Sequence, residues 1–257
     1  MRTIQLTAEY DGTRYTGWST PPTRKGGVSV SEKLSTALCR LLAESVSLSC
    51  AARTDPGVHA KRQSVSFQTG SDLSLSQLQS SLNEVLPQDI AILNATDMPA
   101  RFQADLSPHR CIWQLRLQKM GDTDLFAQNY VWSVPCFPKT ADMQEAFLQL
   151  KDRHDFRCFS PAKKKKAAMK ELYAFHVSES PREMVLTLEG NDFLPYMAAT
   201  VFQLLVDIGL GVVSPLCIPQ IFSGESTFSR RVPSRGLYLA DIIYTKNEKE
   251  DHNACLL

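Results

Sequence analysis

Ile4-Gln-Leu-Thr-Ala-Glu-Tyr-Asp-Gly12 places apolar side chains at Ile4, Leu6, Ala8 and Tyr10, polar ones between them, and stops at an Asp-Gly pair. Alternation of this kind predicts a strand with one buried face, and Asp-Gly predicts the turn that ends it. Moving outward, Ser29 and Glu32 are spaced as a capping box. Val30, Leu34, Ala37, Leu38, Leu41 and Leu42 then recur at helical spacing. A second strand is read through Val46, Leu48, Cys50 and Ala52, and a third through Val65 and Phe67. Leu75, Leu78, Leu82, Val85 and Leu86 mark a second helix stopped by Pro87, and Ile90 to Ala95 a fourth strand. The order strand-helix-strand-strand-helix-strand is that of the ferredoxin-like split unit.

The remainder repeats this order. Cys111 to Leu117 reads as a strand, Thr140 to Lys151 as a helix, and Leu172–Val177 with Met184–Leu188 as a hairpin closed near Ser180-Pro181. Phe193 to Ile208 is a long, nearly all-apolar helix, Leu216 to Phe222 a short one, and Leu237 to Tyr244 the closing strand. The fold class expected is α+β: two ferredoxin-like (βαββαβ) halves with antiparallel sheets, a pseudo-two-fold repeat and a central cleft. Residues 1–105 form one half, 106–246 the other and 247–257 a flexible tail. A helix apolar on all sides needs cover on several sides, so Phe193–Ile208 is expected at the seam between halves or between subunits.

Composition narrows the function classes. With 43% hydrophobic and 21% charged residues among 257, the chain can bury a core and is not a disordered one. Its seven cysteines are scattered singly with no CxxC pair, which argues against a disulfide framework or clustered zinc and for a reducing cytoplasm. No secretory leader is apparent, because Arg2, Gln5, Glu9 and Asp11 interrupt the start. The most apolar stretch, Tyr196–Val213, carries Gln203 and Asp207 and is read as a buried helix rather than a membrane span. No Walker loop, GxGxxG or HExxH motif is present, so no cofactor and no metal are expected. A net charge of +1 makes no case for nucleic acid by itself. Basic residues nevertheless cluster at Arg24-Lys25, His109-Arg110, Lys163-Lys164-Lys165-Lys166, and Arg230-Arg231 with Arg235. Each cluster alone reads as a solvated loop; together, in a two-lobed protein, they fit a positive cleft that contacts phosphates.

The chemistry-bearing segment is Ala51-Ala-Arg-Thr-Asp-Pro-Gly-Val-His-Ala60, between the second and third strands. Asp-Pro-Gly is a favoured turn, and Asp55 needs no other role to occur there. The second reading is that Asp55 shares its loop with Arg53, with His59, Lys61 and Arg62 just beyond. A carboxylate among cations stays ionised and can serve as nucleophile or base, while the cations hold a polyanion against it.

In this segment the chain resembles the tRNA pseudouridine synthase A family, whose active-site loop reads A-G-R-T-D-x-G-V-H-A; here Ala52 replaces the first glycine. Glu9-Tyr-Asp-Gly-Thr-Arg-Tyr-Thr-Gly-Trp18, Arg101-Phe-Gln-Ala104 and Arg235-Gly-Leu-Tyr-Leu239 match further family segments in order, over about residues 2–245. The resemblance implies two ferredoxin-like lobes, a homodimer in the cytoplasm and a tRNA substrate bound through its anticodon arm. It implies isomerisation of an extruded uridine to pseudouridine, with Asp55 as catalytic nucleophile. Arg53 would fill the space of the flipped base and touch phosphate, and Thr54, His109 and Arg110 would lie among the substrate-binding residues. Arg24, Lys25, Lys61, Arg62 and Lys163 to Lys166 would contribute weaker RNA contacts.

Three departures bear on activity. The family's active-site tyrosine falls on Trp113, which can stack on uracil but offers no phenolic oxygen; a core aromatic is the alternative reading. The family arginine that pairs with the catalytic aspartate falls on Ala199, leaving Arg53, His109 or Arg110 to substitute. Ala52 crowds a glycine position. The expected function is therefore a tRNA pseudouridine synthase. The alternative is a catalytically impaired paralogue that serves as a tRNA-binding or folding factor.

Overall fold

The computed structural model describes residues 1–19, 26–121, 124–161 and 168–245. Arg24, Lys25, Lys163 to Lys166 and the tail 247–257 lie outside the described residues. In the first half the elements are β1 (Arg2–Tyr10), α1 (Val30–Leu42), β2 (Ser49–Cys50), β3 (His59–Thr69), α2 (Leu75–Val85) and β4 (Ile90–Met98). In the second they are β5 (His109–Lys119), β6 (Trp132–Val134), α3 (Thr140–Leu148), β7 (Asp152–Asp155), β8 (Met169–Glu179), β9 (Glu183–Gly190), α4 (Met197–Gly209), α5 (Cys217–Ser223) and β10 (Leu237–Tyr244).

The helices form where the periodicity predicts. The Ser29 hydroxyl accepts the Glu32 N–H at 3.3 Å and starts α1, which buries Val30, Leu34, Ala37 and Leu38. The reciprocal capping box stands instead at α2, between Ser74 and Gln77. Val85, expected in the core, is 58% exposed at the end of α2. β6 and β7 were not expected, because three or four residues are too few to show alternation.

The expected two antiparallel sheets are joined into one. Among the described residues the strand order is β4-β1-β3-β10-β5-β9-β8-β7, with β2 paired to β3 and β6 to β5 off that path. Within each half the first strand lies between the fourth and the third: β4-β1-β3 with β2 on β3, then β10-β5-β9 with β8 on β9. The halves meet through a short parallel ladder, Tyr238 opposite His59 and Leu239 opposite Ala60. β2 covers β3 only at Ser66 and Val65, so the start of β3 is free to take β10. The loop that precedes β3 therefore opens at the seam.

All thirteen residues of α4 are buried. Its cover includes α3, the turn Phe156–Phe159 and a strap before β10 that reaches it through Val232. Ala199, Gln203 and Asp207, spaced by one helical turn, form a stripe on α4 that meets this strap. The Val232 N–H donates to the Ala199 carbonyl at 3.2 Å, and Arg230 Nη1 lies 2.8 Å from Asp207 Oδ2. The polar residues of this largely apolar helix have partners: Gln203 Nε2 donates to Asp207 Oδ1 at 2.9 Å, and the Thr200 hydroxyl to the Tyr196 carbonyl at 2.8 Å.

Candidate active site

Loop 51–58 is shaped by the segment that follows β1. Trp18 N–H donates to the Thr54 carbonyl at 3.0 Å, and Gly57 N–H to the Tyr15 carbonyl at 3.2 Å. Thr54 is buried, its hydroxyl 2.8 Å from the Tyr10 hydroxyl. The Val58 N–H closes the Asp-Pro-Gly turn on the Asp55 carbonyl at 3.1 Å. The contact between the two segments is close enough to dictate glycine. A β-carbon on Gly12 would stand 1.9 Å from the Val58 carbonyl oxygen, and one on Gly17 (φ +93°) 2.5 Å from that of Thr54. Two motifs forty residues apart in sequence are one structural unit.

The Asp55 carboxylate reaches the start of α4, where Oδ2 accepts the backbone N–H of Tyr196 at 2.9 Å. Tyr196 offers α4 no side-chain cap of its own; Asp55, 141 residues away, supplies the acceptor. The N-terminal end of a helix favours an anion. Tyr196 holds that N–H in place in a left-handed conformation, φ 61° and ψ 3°, which costs a non-glycine residue about 1–2 kcal/mol. Such strain persists where surrounding structure enforces it, commonly at functional sites. Asp55 lines a cavity of about 220 Å³ with Pro56, Val58, Tyr196, Ala199, Arg231, Val232, Ser234 and Leu237. The Arg231 guanidinium carbon lies 4.3 Å from the centroid of the Tyr196 ring, a cation–π contact.

The other candidates are distributed around this centre. Arg53 is exposed; its guanidinium sits beside the Cys50 thiol, which burial pushes up to about 12 while Arg53 pulls it down. The side chain of Thr54 faces inward, and its hydroxyl is spent on Tyr10, so it shapes the loop rather than presenting a group to the cavity. Trp113 is 2% exposed and packs edge-on against Phe193 at 5.9 Å. It is not among the residues lining the Asp55 cavity.

His109 and Arg110 lie at the far end of β5, where Tyr244 pairs with His109, whereas the cavity residue Leu237 pairs with Leu115. Six residues of strand separate them, about 20 Å. The structure therefore does not bring either to Asp55: His109 packs on Tyr244 and Arg110 on Tyr173. Arg62 pairs with Asp241 at 3.1 Å. Lys61 donates to Gln114 Oε1 at 3.1 Å and lies 5.3 Å over the Tyr238 ring.

Lys61 also borders a second hollow of about 290 Å³ that includes Asp11, His59, Asp89, Tyr130 and Tyr238. His59 is buried there, its ring stacked on Tyr238 at 4.9 Å and its Nδ1 3.1 Å from Asp11 Oδ1. Burial holds its pKa below the ordinary histidine value, with Asp11 acting in the opposite sense. Tyr196 and Arg231 are the site residues that sequence reasoning missed. Arg231 was noticed as part of a basic cluster, but nothing local ties it to Asp55.

Comparison with known proteins identifies the family. A family model described as tRNA pseudouridine synthase matches residues 6–105 and again 146–245. The chain is 30% identical over 247 residues to tRNA pseudouridine synthase A of Caldicellulosiruptor bescii, covering 95% of this chain and 100% of the relative. It is 32% identical over 248 residues to tRNA pseudouridine synthase A of Ruminiclostridium cellulolyticum, with the same coverage. A tRNA pseudouridine synthase A 2 of Bacillus cereus is 29% identical over 245 residues, covering 94% of this chain and 99% of the relative. A family model matched twice along the chain, and relatives matched over nearly their whole length, establish that the chain belongs to the tRNA pseudouridine synthase family.

Proposed function

We propose that this protein isomerises uridine to pseudouridine in the anticodon stem-loop of tRNA, with Asp55 as the catalytic nucleophile. The observation that carries the reading is the Asp55 carboxylate, held by the Tyr196 N–H and lining a cavity together with α4 and the strap. The reaction is a rearrangement: the N1–C1′ bond of uridine breaks, a C5–C1′ bond forms, and the C5 hydrogen leaves as a proton. The freed N1 takes up a proton in its place, so the product is an isomer of the substrate and no electron is transferred to an acceptor. A buried base is out of reach of a carboxylate, so the target uridine must be swung out of the stack into the cavity. Arg53, exposed on the same loop, is positioned to contact the phosphate of the displaced nucleotide.

The lobes 1–105 and 106–246 are taken as the two sides of an RNA cleft, on the strength of their repeated strand order. The family resemblance supports a homodimer in the cytoplasm. No helix among the described residues is long and apolar enough to cross a membrane. Carbodiimide mapping of pseudouridine in tRNA incubated with the purified protein tests the site of action. Stops confined to the anticodon arm are expected; pseudouridine placed elsewhere only, or nowhere, would refute the assignment.

A further inference from the structure

We propose that His59 is a positioning residue for the reaction: its Nδ1 ties the turn Gly12–Arg14 to β3 while the ring is neutral and releases it when the ring is protonated. The inference rests on the reading of Asp55 as the reactive group. His59 is 2% exposed. Two neighbours ask opposite things of its Nδ1. The Gly12 N–H donates to it at 3.2 Å, which requires a bare lone pair. Asp11 Oδ1 lies 3.1 Å away and can bond it only through a proton on that nitrogen. Both cannot be served at once. Asp11 has other donors, because Oδ1 accepts the Thr13 N–H at 2.9 Å and Oδ2 the Tyr130 hydroxyl at 2.8 Å. The buried Gly12 N–H takes Nδ1 as its acceptor, and a buried donor left unmet is costly. The neutral ring therefore carries its proton on Nε2.

What Nδ1 ties down bears directly on the reactive loop. Gly12 is pressed on the end of that loop, where a β-carbon would stand 1.9 Å from the Val58 carbonyl oxygen. Just beyond the turn, the Tyr15 carbonyl takes the Gly57 N–H at 3.2 Å, and the Trp18 N–H reaches the Thr54 carbonyl at 3.0 Å. Asp55 lies in the chain between those two anchors. The titratable groups that line the hollow around the ring come from each element packed there. They are Glu9 and Asp11 at the end of β1, Lys61 in β3, Asp89 before β4, Tyr130 before β6 and Tyr238 in β10. Burial works against the charged ring, while Asp11 and the Arg235 backbone work for it. Protonation passes the Nδ1 bond from Gly12 to Asp11, and the turn loses its tie to β3 beside the loop. His59 thus acts through the placement of Asp55, without touching the substrate.

The test is nitrogen NMR of the histidine rings, with His59→Asn giving the assignment. A neutral ring protonated on Nε2 is expected, and the Gly12 and Gly57 amide signals should shift as His59 titrates below about pH 6.5. His59→Asn puts an amide oxygen, an acceptor that does not titrate, in place of Nδ1. In that variant the amide shifts should vanish, and kcat for isomerisation should lose the same step of its acid limb with KM little changed. His59→Phe fills the space but accepts nothing; it should lower kcat about a hundredfold at every pH, as misplacement of a reacting group does. A neutral ring protonated on Nδ1, wild-type amides that ignore the titration, or an acid limb unchanged in His59→Asn would each overturn the proposal. The ring and amide signals do not depend on turnover: a wild-type protein without activity would refute the functional reading, while the NMR still decides what His59 holds.

Discussion

Asp55 owes its place to glycines it never touches. Gly17 at φ +93° lets the segment after β1 pass within bonding distance of the Thr54 carbonyl. Gly17→Ala should therefore destabilise the protein by more than about 1 kcal/mol, since neither the backbone conformation nor the space admits a methyl group. Gly70→Ala, whose nearest contact is the Glu44 carboxylate at 4.0 Å, should stay within about 0.5 kcal/mol of wild type. Urea unfolding of both measures the difference; equal losses would contradict it. At this scale the contiguous loop Arg53-Thr54-Asp55 was legible because motif residues lie side by side in the chain. Tyr196 and Arg231 were not, because their relation to Asp55 is made by folding, across 141 residues in the case of Tyr196. Trp113 carried two readings, stacking platform or core aromatic, and a strand residue packed on Phe193 is what the structure places there.

Among the elements, the strap and α4 depend on one another through Asp207. Burial raises the pKa of this carboxyl, and Gln203 and Arg230 oppose that rise. A carboxyl whose folded pKa is raised stabilises the fold fully below its unfolded value, near 3.9, and that stability is lost as pH rises through the folded value. Asp207→Asn should thus melt close to wild type at about pH 3 to 4 and gain on it toward about pH 7. Circular-dichroism melts across that range report the gap; a gap independent of pH would show that burial of the charge costs nothing. The long apolar helix was legible from composition alone. Its cover was not, because the strap is a polar stretch, Ser226 to Ser229 among it, that reads as an ordinary loop.

For the whole molecule, the repeat of strand-helix order could be read twice along the chain, yet the joining of the two sheets could not. A parallel ladder of two residue pairs leaves no pattern in sequence. That seam carries His59, buried against Tyr238 and Tyr130. Its pKa lies below the ordinary value, so the neutral ring stabilises the fold fully above about pH 6.5, and that stability is lost as pH falls toward the folded pKa. Wild type should lose stability as pH falls below about 6.5, and His59→Gln should lose less over the same change. Hydrogen exchange at the Tyr238 and Leu239 amides locates the effect at the seam; protection there that does not change with pH would contradict it. The seam also fixes where the reactive loop opens, since β10 enters beside the residues that follow Asp55.

The most direct measurement of the central claim is release of tritium from tRNA labelled at C5 of uridine, with wild type beside Asp55→Asn. Formation of the C5–C1′ bond frees that hydrogen, so release reports the isomerisation itself. Release by wild type, lost in Asp55→Asn while tRNA binding is kept, is the expected result. Release by neither protein, with both still binding tRNA, would contradict the account and make the molecule an RNA binder on an enzyme fold.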